Sequence, residues 1–144
     1  MATRPRAELR RKVVERAGKC CEYCLIHQDL AASTHQVDHV IAEKHGGKTT
    51  LENLALSCTL CNRRKGSDLS SIDPTTGKVV ALFHPRSQKW SEHFELSGTR
   101  ILGLTPEGRA TAELLQVNSF ERLVERAELL RAGRIYLDRY LPPR

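Results

Sequence analysis

Two Cys-x-x-Cys pairs, Cys21 with Cys24 and Cys58 with Cys61, bracket an acid–histidine pair, Asp38-His39. Thiols at this spacing mark zinc, and two such pairs complete a tetrahedral set with no position left for water, so the site they predict is structural. Chemistry then falls to the residues between and just after the pairs. A near-neutral imidazole at His39 is a suitable general base for deprotonating water. The adjacent Asp38 carboxylate suits a hard divalent cation such as Mg2+. Asn62 directly follows Cys61, so on a helix it is rotated about 100° from that zinc ligand. Its amide oxygen, together with Asp38, would hold a cation loosely and leave positions for water and phosphate. Lys65 lies three residues on, on roughly the same face, and could meet a phosphate. With Arg63 and Arg64 it equally reads as a solvated basic helix end that favours the dipole. Asn53 either bonds backbone across the loop and steadies the strand of His39, or is a simple turn former.

These residues need elements to place them. Residues 5–18 predict a helix, with Pro5 in its first turn, Leu9, Val13, Val14 and Ala17 on one face and Gly18 at its end. Arg6, Arg10, Arg11 and Arg16 cover the other face, as a solvated surface or as one that contacts phosphate. Cys20 falls outside the Cys-x-x-Cys register and reads as a spare thiol. Residues 25–34 form a polar connector without assignment. His35 to Ile41 suits a short strand, Gly46-Gly47 a turn, and Leu54-Ala55-Leu56 a second strand leading to a helix from about Cys58 through Lys65. Consecutive strand residues point to opposite faces, so Asp38 and His39 can share a site only if their strand ends or bulges there.

After Asp68 the texture changes. Asp73 to Gly77 is a turn, Lys78 to Phe83 a strand and Arg100 to Leu104 another. Residues 85–97 stay unassigned. Thr105 and Pro106 start a helix as N-cap and first helical residue, running to about Val117. Asn118 with Glu121 resembles a capping box for a last helix. Its stripe of Phe120, Leu123, Val124, Ala127 and Leu130 reads as core, or as a dimer or partner surface, and Gly133 is placed to stop it. His84 and His93 read first as packing or surface residues, with a phosphate or metal role as the sharper alternative.

The chain of 144 residues suffices for one modest domain or a small domain with an extension, and its formal charge of +6 suggests an anionic partner. Neither an apolar leader region nor a membrane-length apolar run stands out, so the expectation is a cytoplasmic protein whose thiols stay reduced and available to zinc.

The quoted segments, joined by Val37-Asp38-His39-Val40-Ile41, Gly46-Gly47, Asn53-Leu54 and Cys58-Thr59-Leu60-Cys61-Asn62-Arg63-Arg64-Lys65-Gly66, closely resemble the zinc-containing HNH endonucleases. The resemblance covers roughly residues 8–68. It implies a ββα-metal core; with the residue reading, the expected fold is α+β, that core clamped by a four-cysteine structural zinc and carrying an N-terminal helix and a C-terminal strand and helical extension. It also implies cleavage of DNA phosphodiester bonds with one Mg2+ or Mn2+ ion, leaving 5′-phosphate and 3′-hydroxyl ends. Position by position, His39 matches the general base, Asp38 the metal-binding acid, Asn53 the Asn that orients the site, and Asn62 the last metal ligand. Ala42 stands where many members have Pro, which bears only on loop stiffness. Residues 78–117 look similar to a tail on some stand-alone bacterial HNH proteins. The expected division is a nuclease domain over 1–70 and an extension over 71–144. DNA is the expected partner, with RNA open, no membrane, and monomer or homodimer undecided. The rival function is a non-catalytic zinc-stabilised module that binds nucleic acid.

Overall fold

Short apolar runs flank the polar loop in the middle of the chain, and the computed structural model pairs them. The structure describes residues 5–133. Helix α1 (Ala7–Ala17) ends at Gly18, whose left-handed φ of 61° lets its amide cap the helix. Strand β1 (Gln36–His39) runs antiparallel to β2 (Leu54–Ser57), with Asp38 opposite Ala55 and His39 opposite Leu54. A two-stranded ribbon is marginal alone. Here α1 covers it: Val13 and Ala17 bury against Leu54 and Leu56, each large side chain contributing about 1.5–3 kcal/mol. Helix α2 (Thr59–Lys65) follows β2, so the expected order of strand, loop, strand and helix is present.

Beyond α2 come two more hairpins, β3 (Ser70–Ile72) with β4 (Val79–Ala81), then β5 (Phe94–Ser97) with β6 (Arg100–Gly103). A single turn of helix, α3 (Trp90–His93), precedes β5, and α4 (Pro106–Leu115) and α5 (Phe120–Arg131) complete the fold. The mixture of helices and small antiparallel sheets is the α+β architecture expected from sequence. Strand β3, which pairs with the predicted strand near residue 80, was not legible, because Ser70-Ser71-Ile72 carries little strand signal.

One apolar cluster draws on both sides of residue 70. Tyr23, Leu25 and Ile26 bury with Phe83, Trp90, Phe94, Ile101, Leu115, Val117 and Leu129. The Phe94 ring stands 5.1 Å from those of Phe83 and Trp90. Residues 1–4 and 134–144, the outer ends of the two expected segments, lie outside the described residues. Helix α4 starts as predicted, with Thr105 Oγ1 accepting the Gly108 amide at 3.0 Å. Its Arg109 donates to both oxygens of Asp73 at 2.9 Å and holds that carboxyl well below the usual carboxylate range.

Helix α5 departs from expectation twice. Asn118 is not its cap: the Asn118 side chain bonds the backbone of Ile101 at 2.8 Å in both directions, and Ser119 occupies the N-cap. The predicted stripe is not the fully buried face either. Phe120 is 81% exposed and Val124 49%, whereas Arg122, Arg126 and Leu129 are buried. Those three lie at i, i+4 and i+7, one helical face. Partners strong enough to desolvate two guanidiniums must therefore lie beneath α5.

Candidate active site and metal centre

The partners beneath α5 include the cysteines, beside the Val117 carbonyl, which accepts from Arg126 at 2.8 Å. Cys21, Cys24, Cys58 and Cys61 are all buried, and their sulfurs lie within 4.8 Å of one another. The Cys24 and Cys58 sulfurs are 3.6 Å apart, far beyond a disulfide bond. Zinc–sulfur bonds of about 2.3 Å in a tetrahedron separate sulfurs by roughly 3.8 Å, so the set fits a metal ion of that size. Cys58 is pulled far below a free thiol by proton donation from Cys21, Cys24 and Cys61, while burial pushes Cys21 up and sharing with Cys21 pushes Cys61 up. Four buried sulfur donors at this separation could hold a metal ion, and four cysteine ligands suit tetrahedral zinc. Arg122 donates to the Cys58 sulfur at 3.4 Å, and Arg126 to the Cys24 carbonyl at 3.1 Å. Cys20 is buried outside the cluster, bridged to His27 along the backbone.

The cleft lies along β1 and α2. It encloses about 370 Å³ and is lined by Asp38, His39 and Asn62 with Val37, Glu43 and Lys44. Strand β1 ends at His39, so two consecutive residues both reach the cleft, as the geometry of a shared site demands. His39 Nε2 lies 2.9 Å from Thr49 Oγ1 and 3.8 Å from a Glu43 oxygen. Asn62 donates its Nδ2 hydrogens to Gln36 Oε1, which leaves the amide oxygen as acceptor.

Asp38 is 6% exposed. Tyr23 donates its hydroxyl to Oδ2 at 3.0 Å. The Lys65 ammonium lies 3.1 Å from Oδ2 and 3.4 Å from Oδ1, and donates to the His39 carbonyl at 3.2 Å. Burial pushes the Asp38 carboxyl above its ordinary value, with Lys65 and Tyr23 pulling against that rise. The same burial, with the Asp38 charge, pushes the Tyr23 phenol well up.

Asn53 clamps the loop between β1 and β2. Its Oδ1 accepts the Ile41 amide at 2.9 Å, and its Nδ2 donates to the carbonyls of Ile41 at 2.9 Å and Lys48 at 2.8 Å. Gly47 is required here, because a Cβ would fall 1.7 Å from the Ile41 carbonyl oxygen.

The structure commits several of the sequence-predicted cations to partners within the protein, among them Arg10, which donates to the His35 carbonyl at 2.7 Å. Lys65, expected to meet a phosphate, is 3% exposed and committed to Asp38. Its long stem carries the ammonium inward from the helix. Arg64 donates to the Leu115 carbonyl at 2.9 Å, at the end of α4. Arg16 of the α1 basic face donates to the carbonyls of Leu51 and Leu54 at 2.9 and 2.5 Å. Arg63, Arg6 and Arg11 stay exposed. His84 accepts the amides of Arg86 and Ser87, and His93 bonds Thr105, so both serve local structure. Sequence reasoning missed Tyr23, Glu43 and Thr49. Only Tyr23, between two zinc cysteines, carried a signal that could have drawn notice.

A helix bearing two thiols of a closed metal centre, with Asn beside an Asp-His strand end, defines a class. Residues 21–68, a third of the chain, match the family model described as HNH endonuclease. A curated relative, Septu protein PtuB of Bacillus thuringiensis, is 25% identical over 114 residues, which is 78% of this chain and 42% of the relative. The chain thus spans less than half of that relative's length. No solved structure matches. No helix among the described residues is long and apolar enough to cross a membrane.

Proposed function

We propose that this protein is a metal-dependent endonuclease that hydrolyses phosphodiester bonds in DNA. The observation behind this reading is that Asp38, His39 and Asn62 open on one cleft beside a helix fixed by four thiols. The HNH match over residues 21–68 supports the reaction class. With its proton on Nε2 and donated to Thr49, His39 presents the Nδ1 lone pair to the attacking water as general base. The imidazolium that forms is stabilised by Glu43, 3.8 Å from Nε2. Asp38 and Asn62 would hold Mg2+ or Mn2+, for which a carboxylate and an amide oxygen are suitable hard donors. When bound, such an ion supplies neutralisation of the charge that builds on the phosphate and leaving oxygens. Asn53 keeps the loop that carries Thr49 and Glu43 in place. Exposed Arg63, Arg6 and Arg11, within a net charge of +6, offer contacts to the phosphate backbone.

The test is plasmid cleavage in EDTA, Mg2+ or Mn2+ beside His39→Ala. Metal-dependent nicking or linearisation is expected, reduced about 10²- to 10⁴-fold in the variant. A variant that cuts as fast as wild type would sink the assignment. Binding in a gel shift without cleavage under any metal would favour the zinc-stabilised binding module, and an RNA substrate run in parallel decides between nucleic acids.

A further inference from the structure

We propose that Tyr23 is a positioning residue. Its phenol, held inside the zinc knuckle, fixes the Asp38 carboxylate so that Oδ1 is the oxygen left to bind the cleft cation. The proposal rests on the nuclease reading above and adds a residue to it. Tyr23 is 2% exposed, and the only polar atom of its side chain donates to Asp38 Oδ2 at 3.0 Å. A phenylalanine would fill the same core, so the hydroxyl is explained by what it bonds. Lys65 adds a second contact to Oδ2 at 3.1 Å and only a long one, 3.4 Å, to Oδ1. A carboxylate offers about four lone-pair sites. Oδ2 has two of them taken, and Oδ1 keeps the spare capacity.

The anchor is rigid. Tyr23 stands between Cys21 and Cys24, the Cys24 amide points at the Cys21 sulfur, and the Tyr23 carbonyl accepts the Trp90 indole at 3.1 Å. The hydroxyl therefore cannot leave Asp38 without disturbing the knuckle. Through this one bond the closed thiolate centre sets the orientation of a side chain in the open cleft. Outer hydrogen-bond partners of this kind orient metal ligands, and losing one costs about 10- to 100-fold in metal affinity.

The test compares full-length, zinc-loaded wild type with Tyr23→Phe by calorimetric titration of Mn2+ without nucleic acid. Zinc content and Trp90 emission report the knuckle and its core. Tyr23→Phe is expected to keep its zinc and its emission and to bind Mn2+ about 10- to 100-fold more weakly. The Mn2+ concentration for half-maximal plasmid cleavage should rise by the same factor. Unchanged Mn2+ affinity in the variant overturns the proposal and leaves the nuclease reading standing. Loss of zinc makes the phenol a support of the knuckle and overturns it too. A wild-type protein that binds no Mn2+ overturns both.

Discussion

The thiolate cluster and the cleft share helix α2 and differ in nearly everything else. The cluster is sealed, its four sulfurs buried and roofed by Arg122, 64 residues from Cys58, and by Arg126, 102 residues from Cys24. The cleft is open, and its side chains are steadied from within residues 23–65: His39 by Thr49 at a separation of 10, the Ile41 backbone by Asn53 at 12, and Asp38 by Lys65 at 27. Closed metal sites support folds and open ones leave room for substrate. This chain builds access within its first half and closure from its distant extension.

The largest break in that comparison should come from Cys61→Ser. A structural zinc contributes about 10–16 kcal/mol in small metal-dependent folds, as much as the whole stability of a typical domain. The variant should lose both zinc and its cooperative thermal transition by circular dichroism. A folded, cleaving Cys61→Ser protein would show that the cleft stands without the cluster. Asn53→Ala attacks the other side. Three backbone groups lose partners, at about 1–3 kcal/mol for each that stays buried, so a total near 2–4 kcal/mol is expected in urea titration. Zinc should be retained, and cleavage should fall with the loosened loop.

Arg122→Gln sharpens the idea of a roof. Zinc transfer to a chromogenic chelator should quicken about tenfold, with cleavage under saturating metal unchanged; equal transfer rates would reduce the contact to packing. The smallest effect belongs to Phe120→Ser. At 81% exposure, its removal should leave stability within about 0.5 kcal/mol. A loss several times larger would restore the apolar stripe of α5 as a packed face.

The four-cysteine cluster was legible because it depends only on residue type and short spacing, and Asp38-His39 and Asn62 drew notice because they flank it. The strand end at His39 followed from pleat geometry alone. What stayed hidden has a common cause. The face of α5 was misassigned because periodicity scores apolar side chains and is blind to thiolates and carbonyls that draw Arg122 and Arg126 inward. Lys65 was placed by its Cα on the cleft side of α2, yet a flexible four-carbon stem lets its charge settle on Asp38. Thr49 and Glu43 sit in a polar loop where any of several residues could have faced His39.

The long reach of Arg122 also sets an order of events. At roughly 5–20 residues per second of synthesis, the 64 residues from Cys58 to Arg122 take on the order of 3–13 s to appear. During that interval all four thiols exist and their guanidinium roof does not. In that interval the cysteines are open to ion and oxidant alike, so a metal taken up then would be covered only when the extension arrives.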